Sequence, residues 1–165
     1  MYAATHDARV VVTDPADDVD ADDDEDADQV SATDVSKVVY RVGPASNHDG
    51  DRAVKIRIFH AETLSGDEHR QRGVTTFTHD GRDYRVVSDL DSAALLVLKG
   101  DTWKRLHPEW IGANGADGQM AVTFPVSALG RAFTMQELRT RLVVSGTSIV
   151  DRTRTDEVLP VYPPR

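Results

Sequence analysis

Apolar and polar residues alternate with a period of two in five segments after residue 34, which is the pattern of a strand with one buried face. The segments are 35–42, 53–60, 74–79, 82–87 and 119–124. Asp80 and Gly81 separate the third segment from the fourth. Asp-Gly between two β-prone segments is typical of a two-residue hairpin turn, because both central residues of that turn take positive φ. The pattern therefore predicts antiparallel strands, with a hairpin closed at residues 80–81.

Two segments carry helix signals instead. In 133–142, Thr134 at the first cap position and Glu137 three residues later form a capping box. In 92–99 a serine starts the segment and Gly100 follows it, which favours a short helix over the alternative of a buried strand. We therefore predict an α+β, β-rich fold. It would be a single compact domain of about six mainly antiparallel strands, as a sandwich or partial barrel, with one or two short helices.

The negative charge lies in the first 34 residues, which hold twelve Asp or Glu and one Arg, against sixteen acidic and eighteen basic residues in the remainder. A run as dense as 20–28 resists burial, because each carboxylate would lose its hydration, and it stays solvated unless a basic surface meets it. Whether the β-prone segment 8–13 pairs with a sheet edge stays open. Three prolines in 158–165 exclude a helix or a central strand there. The predicted division is an acidic extended or disordered arm at 1–34, a β-rich globular domain at 35–157 and an extended Pro-rich arm at 158–165.

Several chemistries are missing from the sequence. There is no cysteine, which excludes disulfides, thiolate metal sites and thiol nucleophiles. The chain has no Gly-x-Ser-x-Gly, P-loop or dinucleotide-binding motif, and no register of the acidic run has the Gly and Glu that a calcium loop requires. No apolar stretch approaches the roughly 20 residues of a membrane span, and the N-terminus has no signal-peptide pattern. We expect no cofactor, and a location in a virion or the cytoplasm.

Trp103 and Trp110 lie in the charged segment 101–118, close to Arg105. Tryptophan and arginine are typical anchors of protein interfaces, although tryptophans in a loop also fold back to cover a core. The sequence therefore predicts partner binding by these three residues and by the acidic run. The acidic residues assigned to this role are Asp22, Asp23, Asp24, Glu25 and Asp26.

Four arginines gather near the end of the chain, at Arg139, Arg141, Arg152 and Arg154. Such a cluster can hold nucleic-acid phosphates, or it can line a solvated surface. The acidic arm would compete with nucleic acid for this surface. No interleaving of aromatic and basic residues of the single-strand binding kind accompanies the cluster.

A second set of residues could bind a metal. His60, Glu62, His69 and His79 fall at predicted strand ends and in the segment that joins two strands. Imidazoles with a carboxylate are common zinc ligands. No compact spacing of these residues supports a site, so we predict no metal and keep the four only as candidates.

The missing catalytic motifs, the two arms and the tryptophan segment favour a non-enzymatic structural or interaction protein. It would be a subunit of a larger assembly whose arms contact neighbours, most concretely a virion accessory protein of the head, connector or tail. The first alternative is a nucleic-acid-associated regulator whose acidic arm mimics DNA or shields the arginines, and the second is a small metal-dependent hydrolase. The expected partners are protein subunits, as a homo-oligomer or larger assembly, and a basic surface for the arm. Nucleic acid is less favoured, and no membrane is expected.

Overall fold

The computed structural model describes residues 7–14, 19–21, 29–30, 33–45, 52–60, 70–79, 81–89, 91–116, 118–130, 134–145 and 147–161. Strands make up 70 % of the structure and helix 6 %. The β-rich prediction is confirmed, but the number of strands is about twelve rather than six and the predicted helices are nearly absent.

The strands form two antiparallel sheets that do not close into a barrel. Sheet A has the strand order β1 (Ala8–Thr13), β2 (Val35–Pro44), β3 (Arg52–His60), β9 (Gln119–Pro125) and β8 (Gly112–Ala116). Sheet B has the order β11 (Val150–Thr155), β10 (Thr134–Val144), β4 (Gln71–His79), β5 (Arg82–Ser88), β6 (Ala93–Lys99) and β7 (Thr102–Arg105), and β12 (Leu159–Pro160) pairs with β10. A short 3-10 helix at Val126–Leu129 follows β9.

Alternate residues of both sheets point into a shared hydrophobic core. Tyr40, Ile56 and Phe124 come from sheet A, Phe77 and Leu95 come from sheet B, and none of these side chains is more than 2 % exposed. Burial of this apolar surface is the main driving force for folding. Because side chains alternate across a strand, the residues between the core positions form the two outer faces of the molecule.

A polar network inside the core also joins the two sheets. Tyr40 on β2 forms a hydrogen bond with Thr140 on β10, and Thr140 lies 2.8 Å from the Thr75 hydroxyl on β4. Nearby, the buried carboxylate of Asp151 accepts a hydrogen bond from the backbone N–H of Val35 at 2.7 Å. It also accepts one from the backbone N–H of Arg152, the next residue of β11. Buried polar groups that find partners in this way fix one arrangement of the sheets.

The segment 133–142, predicted as a helix, lies largely in strand β10, so the helix prediction is wrong. From Leu138 to the end of β10, buried and outward-facing residues alternate. The pairing with β4 slips by one residue around Glu137, whose φ is 52°, which is a β-bulge. The extra residue places the buried Met135 and Leu138 three positions apart, and that spacing also marks one face of a helix.

The segment 92–99, for which a helix was favoured, contains strand β6, and the alternative of a buried strand is correct. Leu95 and Val97 are buried in the core, while Leu96 and Leu98 are half-buried on the opposite side. Because β6 carries apolar residues on both of its faces, no alternation marked it in the sequence.

The hairpin prediction is confirmed. His79 pairs with Arg82 across a two-residue connection, and Gly81 has a φ of 72°. Asp80 lies outside the described residues.

Both chain ends contribute strands to the sheets. Ala8–Thr13, within the predicted arm 1–34, forms β1 and pairs with β2, and Ala8 and Val10 are buried. In the segment 158–165, Leu159 and Val161 are buried and β12 pairs with β10. Residues 1–34 therefore cannot be deleted without the loss of a strand of sheet A.

Candidate functional site

Six arginines project from two neighbouring rows on the outer face of sheet B, and a seventh, Arg72, lies one row further along β4. On β10 and β11 they alternate with buried residues such as Leu138 and Thr153, so the period of the strand places them all on the solvent side. We call this set the arginine face. Its members are Arg85, Arg105, Arg139, Arg141, Arg152 and Arg154.

The strand register aligns these arginines in two rows. The first row crosses the sheet through directly paired positions in the order Arg154, Arg139, Thr76, Arg85, Leu96 and Arg105. Neighbouring strands lie about 4.8 Å apart, so the row spans about 24 Å. The second row, about 7 Å away along the strands, pairs Arg152 with Arg141.

Two pairs of like charges lie directly opposite each other on neighbouring strands. They are Arg139 with Arg154 and Arg141 with Arg152. Like charges in this position destabilise a sheet. Of these four arginines, only Arg152 has an ion pair among the described residues, with Asp20 at 3.6 Å. The arrangement therefore has an energetic cost that a bound polyanion would offset.

Arg85 connects the arginines to an aromatic side chain. Its guanidinium carbon lies 4.1 Å from the centroid of the Trp103 ring, within the range of a cation–π interaction. Partial burial lowers the pKa of Arg85, and the positive charge of Arg141 lowers it further. The Arg85 Nε is buried and has no hydrogen-bond partner in the described part of the chain. Arg85 is thus a cation held in a positive environment, with a donor still to satisfy.

A groove of about 580 Å³ runs between the arginines. Val74 and Thr76 of β4 line it together with five of the six arginines, all but Arg105. Near this face, the acidic strand residues that the structure describes are Asp83 and Glu137, and both lie one row beyond the first row, beside Thr78. The described residues that line the groove carry cationic, apolar and hydroxyl side chains.

A carboxylate from the N-terminal segment reaches the edge of this surface. Asp20 and Val150 exchange two backbone hydrogen bonds, of 2.8 and 2.9 Å. This bridge places Asp20 beside Arg152, and both side chains are more than 60 % exposed. The chain therefore enters its acidic run next to β11. The predicted partner residues at 22–26 lie outside the described residues.

The structure separates the predicted interface residues. Trp103 and Arg105 belong to β7 and join the arginine face. Trp110 is half-buried and lines a groove on the outer side of sheet A instead. The four arginines predicted as phosphate binders do come together, each beside another.

His60 and His79, predicted as metal candidates, do not converge. His60 ends β3, with its Nδ1 3.4 Å from the amide of Gln71 at the start of β4, whereas His79 ends β4. Eight residues along a strand correspond to about 27 Å. The His79 Nδ1 lies 2.7 Å from the carbonyl oxygen of Thr134. Glu62 and His69 lie outside the described residues, and within the described ones no three His, Asp or Glu form a potential metal site.

Sequence reasoning missed Arg85 as a member of this surface, and it assigned Arg139 and Arg141 to a helix. The usable signal was their spacing, because Arg139 and Arg141, like Arg152 and Arg154, are two residues apart. Basic residues at a period of two indicate one face of a strand.

Within the ranges that the structure describes, no helix is long and apolar enough to cross a membrane. Comparison of the chain with protein-family models, curated proteins and solved structures finds no match.

Proposed function

We propose that this protein is a non-catalytic nucleic-acid-binding protein whose arginine face holds the phosphate backbone. The observation that carries the proposal is the row of four arginines across sheet B, with two more beside it. No carboxylate of the described residues neutralises five of the six arginines. Those five are Arg85, Arg105, Arg139, Arg141 and Arg154.

The chemistry of the cations favours phosphate. Guanidinium groups offer a planar fork of donors that binds phosphate in a bidentate manner, and they are more weakly hydrated than ammonium groups. All six cations of the face are arginines, with no lysine among them. A duplex carries one negative charge per about 1.7 Å of its axis when both strands are counted, so about 24 Å of duplex carries roughly 14 phosphates, of which those on the side that faces the sheet can contact this row.

The shape of the surface favours contacts with the backbone over the reading of bases. Specific readers insert a helix or a β-ribbon into a groove of the nucleic acid, whereas the arginine face is the side of a sheet with a shallow groove. Phosphate contacts position a protein without carrying sequence information. We therefore expect binding that depends steeply on salt and weakly on sequence.

The acidic run at 20–28 fits a regulator of this binding, as an internal competitor. Asp20 already pairs with Arg152 at the edge of the face. Each carboxylate near the arginines offsets part of the attraction for phosphate at low salt.

The test compares the affinity of matched variants for nucleic acid. Fluorescence anisotropy of a labelled 30-base-pair duplex is measured with the full chain, with Arg139→Thr/Arg141→Thr, and with the control Lys99→Thr/Lys104→Thr. The control removes the same charge from exposed residues outside the arginine face. We expect the arginine variant to bind at least tenfold more weakly at 50 mM salt and the control to resemble the wild type. Equal affinity of the two variants would contradict the proposal.

A competition arm separates nucleic acid from an acidic protein as the ligand. Unlabelled duplex and polyaspartate of matched total charge are added to the bound complex. Displacement by the duplex at a much lower concentration supports nucleic acid. Equal or better displacement by polyaspartate would assign the face to an acidic protein partner instead.

The second candidate is the assembly role, in which the acidic run of one copy contacts the arginine face of another. The Asp20–Arg152 pair favours it, because it shows a carboxylate of this segment in contact with an arginine of the face. The virion setting is the concrete form of this candidate. Light scattering of the full chain at low and at molar salt tests it: a defined oligomer that dissociates at molar salt supports assembly, and a monomer in both conditions contradicts self-assembly.

A further inference from the structure

The outer face of sheet A is also basic, and the proposed function does not use it. Its cations come from β1, β2 and β3 and alternate with core residues such as Val38 and Ile56. We call this set the lysine–arginine face. Its members are Arg9, Lys37, Arg41, Lys55 and Arg57.

Three of these cations form a row of directly paired positions. Arg9 lies opposite Arg41, and Arg41 lies opposite Lys55. Two rows further along the strands Lys37 is paired with Phe59, and the Lys37 ammonium lies 4.5 Å from the centre of that ring. The arrangement concentrates positive charge on the three adjacent strands β1, β2 and β3. Sheet A therefore has a basic outer face, as sheet B does.

Little on this face neutralises the charge. In the described part of the chain, the one ion pair here joins Arg41 to Asp7 at 2.9 Å, and both side chains are about half exposed. Partial burial and the charges of Arg57 and Arg41 lower the pKa of Lys55. The Arg57 Nε is buried and, among the described residues, has no hydrogen-bond partner.

Two grooves lie side by side on this face. One, of about 450 Å³, lies among the five cations. The other, of about 510 Å³, leads towards β8 and is bounded by Trp110 and the polar side chains of Asn114 and Thr123. Lys55 and Arg57 line both grooves, so the two grooves adjoin and together extend from β1 to Trp110 across all five strands of sheet A.

The two basic faces point in opposite directions, because each lies on the outer side of its own sheet. The sheets are about 10 Å apart, and the core fills the space between them. A straight segment of nucleic acid on one face therefore cannot reach the other. The acidic residues of the globular part fall mainly at strand ends and in connections, as Asp89, Asp91, Asp101 and Glu109 do, so they do not cover either face.

From this geometry we infer that the lysine–arginine face is a second phosphate-binding surface, and that one copy of the protein bridges two segments of nucleic acid. The inference rests on the proposed function of the arginine face. The second site lies on sheet A, contains both lysine and arginine, and has the Trp110 ring at the end of its second groove. A bivalent binder of this kind gains avidity when both surfaces are engaged.

The experiment measures bridging and binding separately. A biotinylated 30-base-pair duplex is fixed on beads, the full chain is added, and capture of a second, fluorescent duplex is measured at 50 mM salt. Anisotropy gives the affinity for a single duplex in the same buffer. The variants are Lys55→Thr/Arg57→Thr for sheet A, Arg139→Thr/Arg141→Thr for sheet B, and the control Lys99→Thr/Lys104→Thr. Threonine suits a half-buried strand position, and circular dichroism checks that each variant folds.

The inference predicts that the sheet A variant still binds one duplex within about threefold of the wild type but captures less than a tenth as much of the second. The control should bridge as the wild type does. If the sheet A variant captures the second duplex as well as the wild type does, the inference is overturned. A dimer with one arginine face on each copy would then explain the bridging. The inference is also overturned if the lysine–arginine face captures phosphatidylserine vesicles but no second duplex. That result would assign this face to a lipid surface. The proposed function fails on a different result, which is unchanged single-duplex affinity in the sheet B variant.

Discussion

Replacing Arg139 and Arg141 with threonine should stabilise the fold while it weakens nucleic-acid binding. Both side chains are exposed on β10 and lie directly opposite Arg154 and Arg152. The double substitution therefore removes two like-charge pairs from the sheet and leaves the core residues of β10 in place. A surface selected for stability alone would not place like charges directly opposite each other. A gain in stability when the two arginines are replaced would therefore indicate that they are kept for binding.

The magnitude follows from the pairing. A cross-strand pair contributes roughly 0.2–1 kcal/mol in either direction, so relief of two repulsive pairs amounts to about 0.4–2 kcal/mol at low salt. Threonine adds a modest gain from its preference for strands. In a chain of this size, 1 kcal/mol shifts Tm by about 2–4 °C, which gives an expected increase of roughly 1–8 °C. Most of the electrostatic gain should vanish at 1 M salt, where the screening length is about 3 Å.

The assay is thermal unfolding followed by circular dichroism at 20 mM and 1 M salt, with the control Lys99→Thr/Lys104→Thr. The control loses the same charge, but its lysines pair with Thr102 and Val97, so no opposed cations are relieved. We expect the arginine variant to have the higher Tm at low salt and the two variants to converge at high salt. A Tm of the arginine variant at or below that of the control at low salt would refute the reasoning.

Three further predictions concern other parts of the molecule. Burial raises the pKa of Tyr40 to about 12, against the opposing effect of its hydrogen bonds, so the folded state keeps a proton that the unfolded chain loses. Stability should therefore be full below pH 10 and fall by roughly 2–3 kcal/mol between pH 10 and 12. In denaturant titrations Tyr40→Phe should lower stability by about 0.5–1.5 kcal/mol at neutral pH and make that alkaline decline shallower, whereas an unchanged decline would contradict the assignment. At the bulge, Glu137→Gly should be neutral or stabilising by up to about 1 kcal/mol because of the positive φ, whereas Gln136→Gly should destabilise; a loss in the first would contradict the bulge. Conversion of the five carboxylates at 22–26 to amides should raise duplex affinity in anisotropy at 50 mM salt, and lower affinity would exclude a competing role for the run.

Local pattern was sufficient to find strands that have one face in water. The alternation in 53–60 appears as β3, with Ile56 and Ile58 inward and Lys55 and Arg57 outward. It failed where a strand departs from that rule. β6 is apolar on both of its faces, and β10 contains a bulge with the spacing of a helix face. The pairing between β10 and β4 that contains the bulge joins segments that lie far apart in the chain.

The arginine face could be predicted only in part, for the same reason. The close pairs within β10 and within β11 are visible in the sequence, but their alignment with each other depends on the register of two strands. Arg85 joins them because β4 lies between β5 and β10 and sets Thr76 opposite both Arg85 and Arg139. Long-range pairing of this kind is not encoded in any local period, although the period of two in the basic residues pointed to strands.

The two outer faces explain why the net charge of the chain misleads. The formal net charge is −9, which by itself argues against a polyanion as ligand. Yet the sheet surfaces carry arginine and lysine, while many of the acidic residues lie in the N-terminal segment and in connections. Binding depends on the local field over a surface rather than on the total charge.

The most direct test of the central claim is the salt dependence of duplex binding by the full chain and by the arginine-face variant. Each phosphate neutralised by a cation contributes about 0.9 to the slope of log affinity against log salt. We predict that Arg139→Thr/Arg141→Thr reduces the magnitude of that slope by up to about 1.8, while Lys99→Thr/Lys104→Thr leaves it unchanged. Identical slopes for the wild type and both variants would show that the arginine face does not hold phosphates.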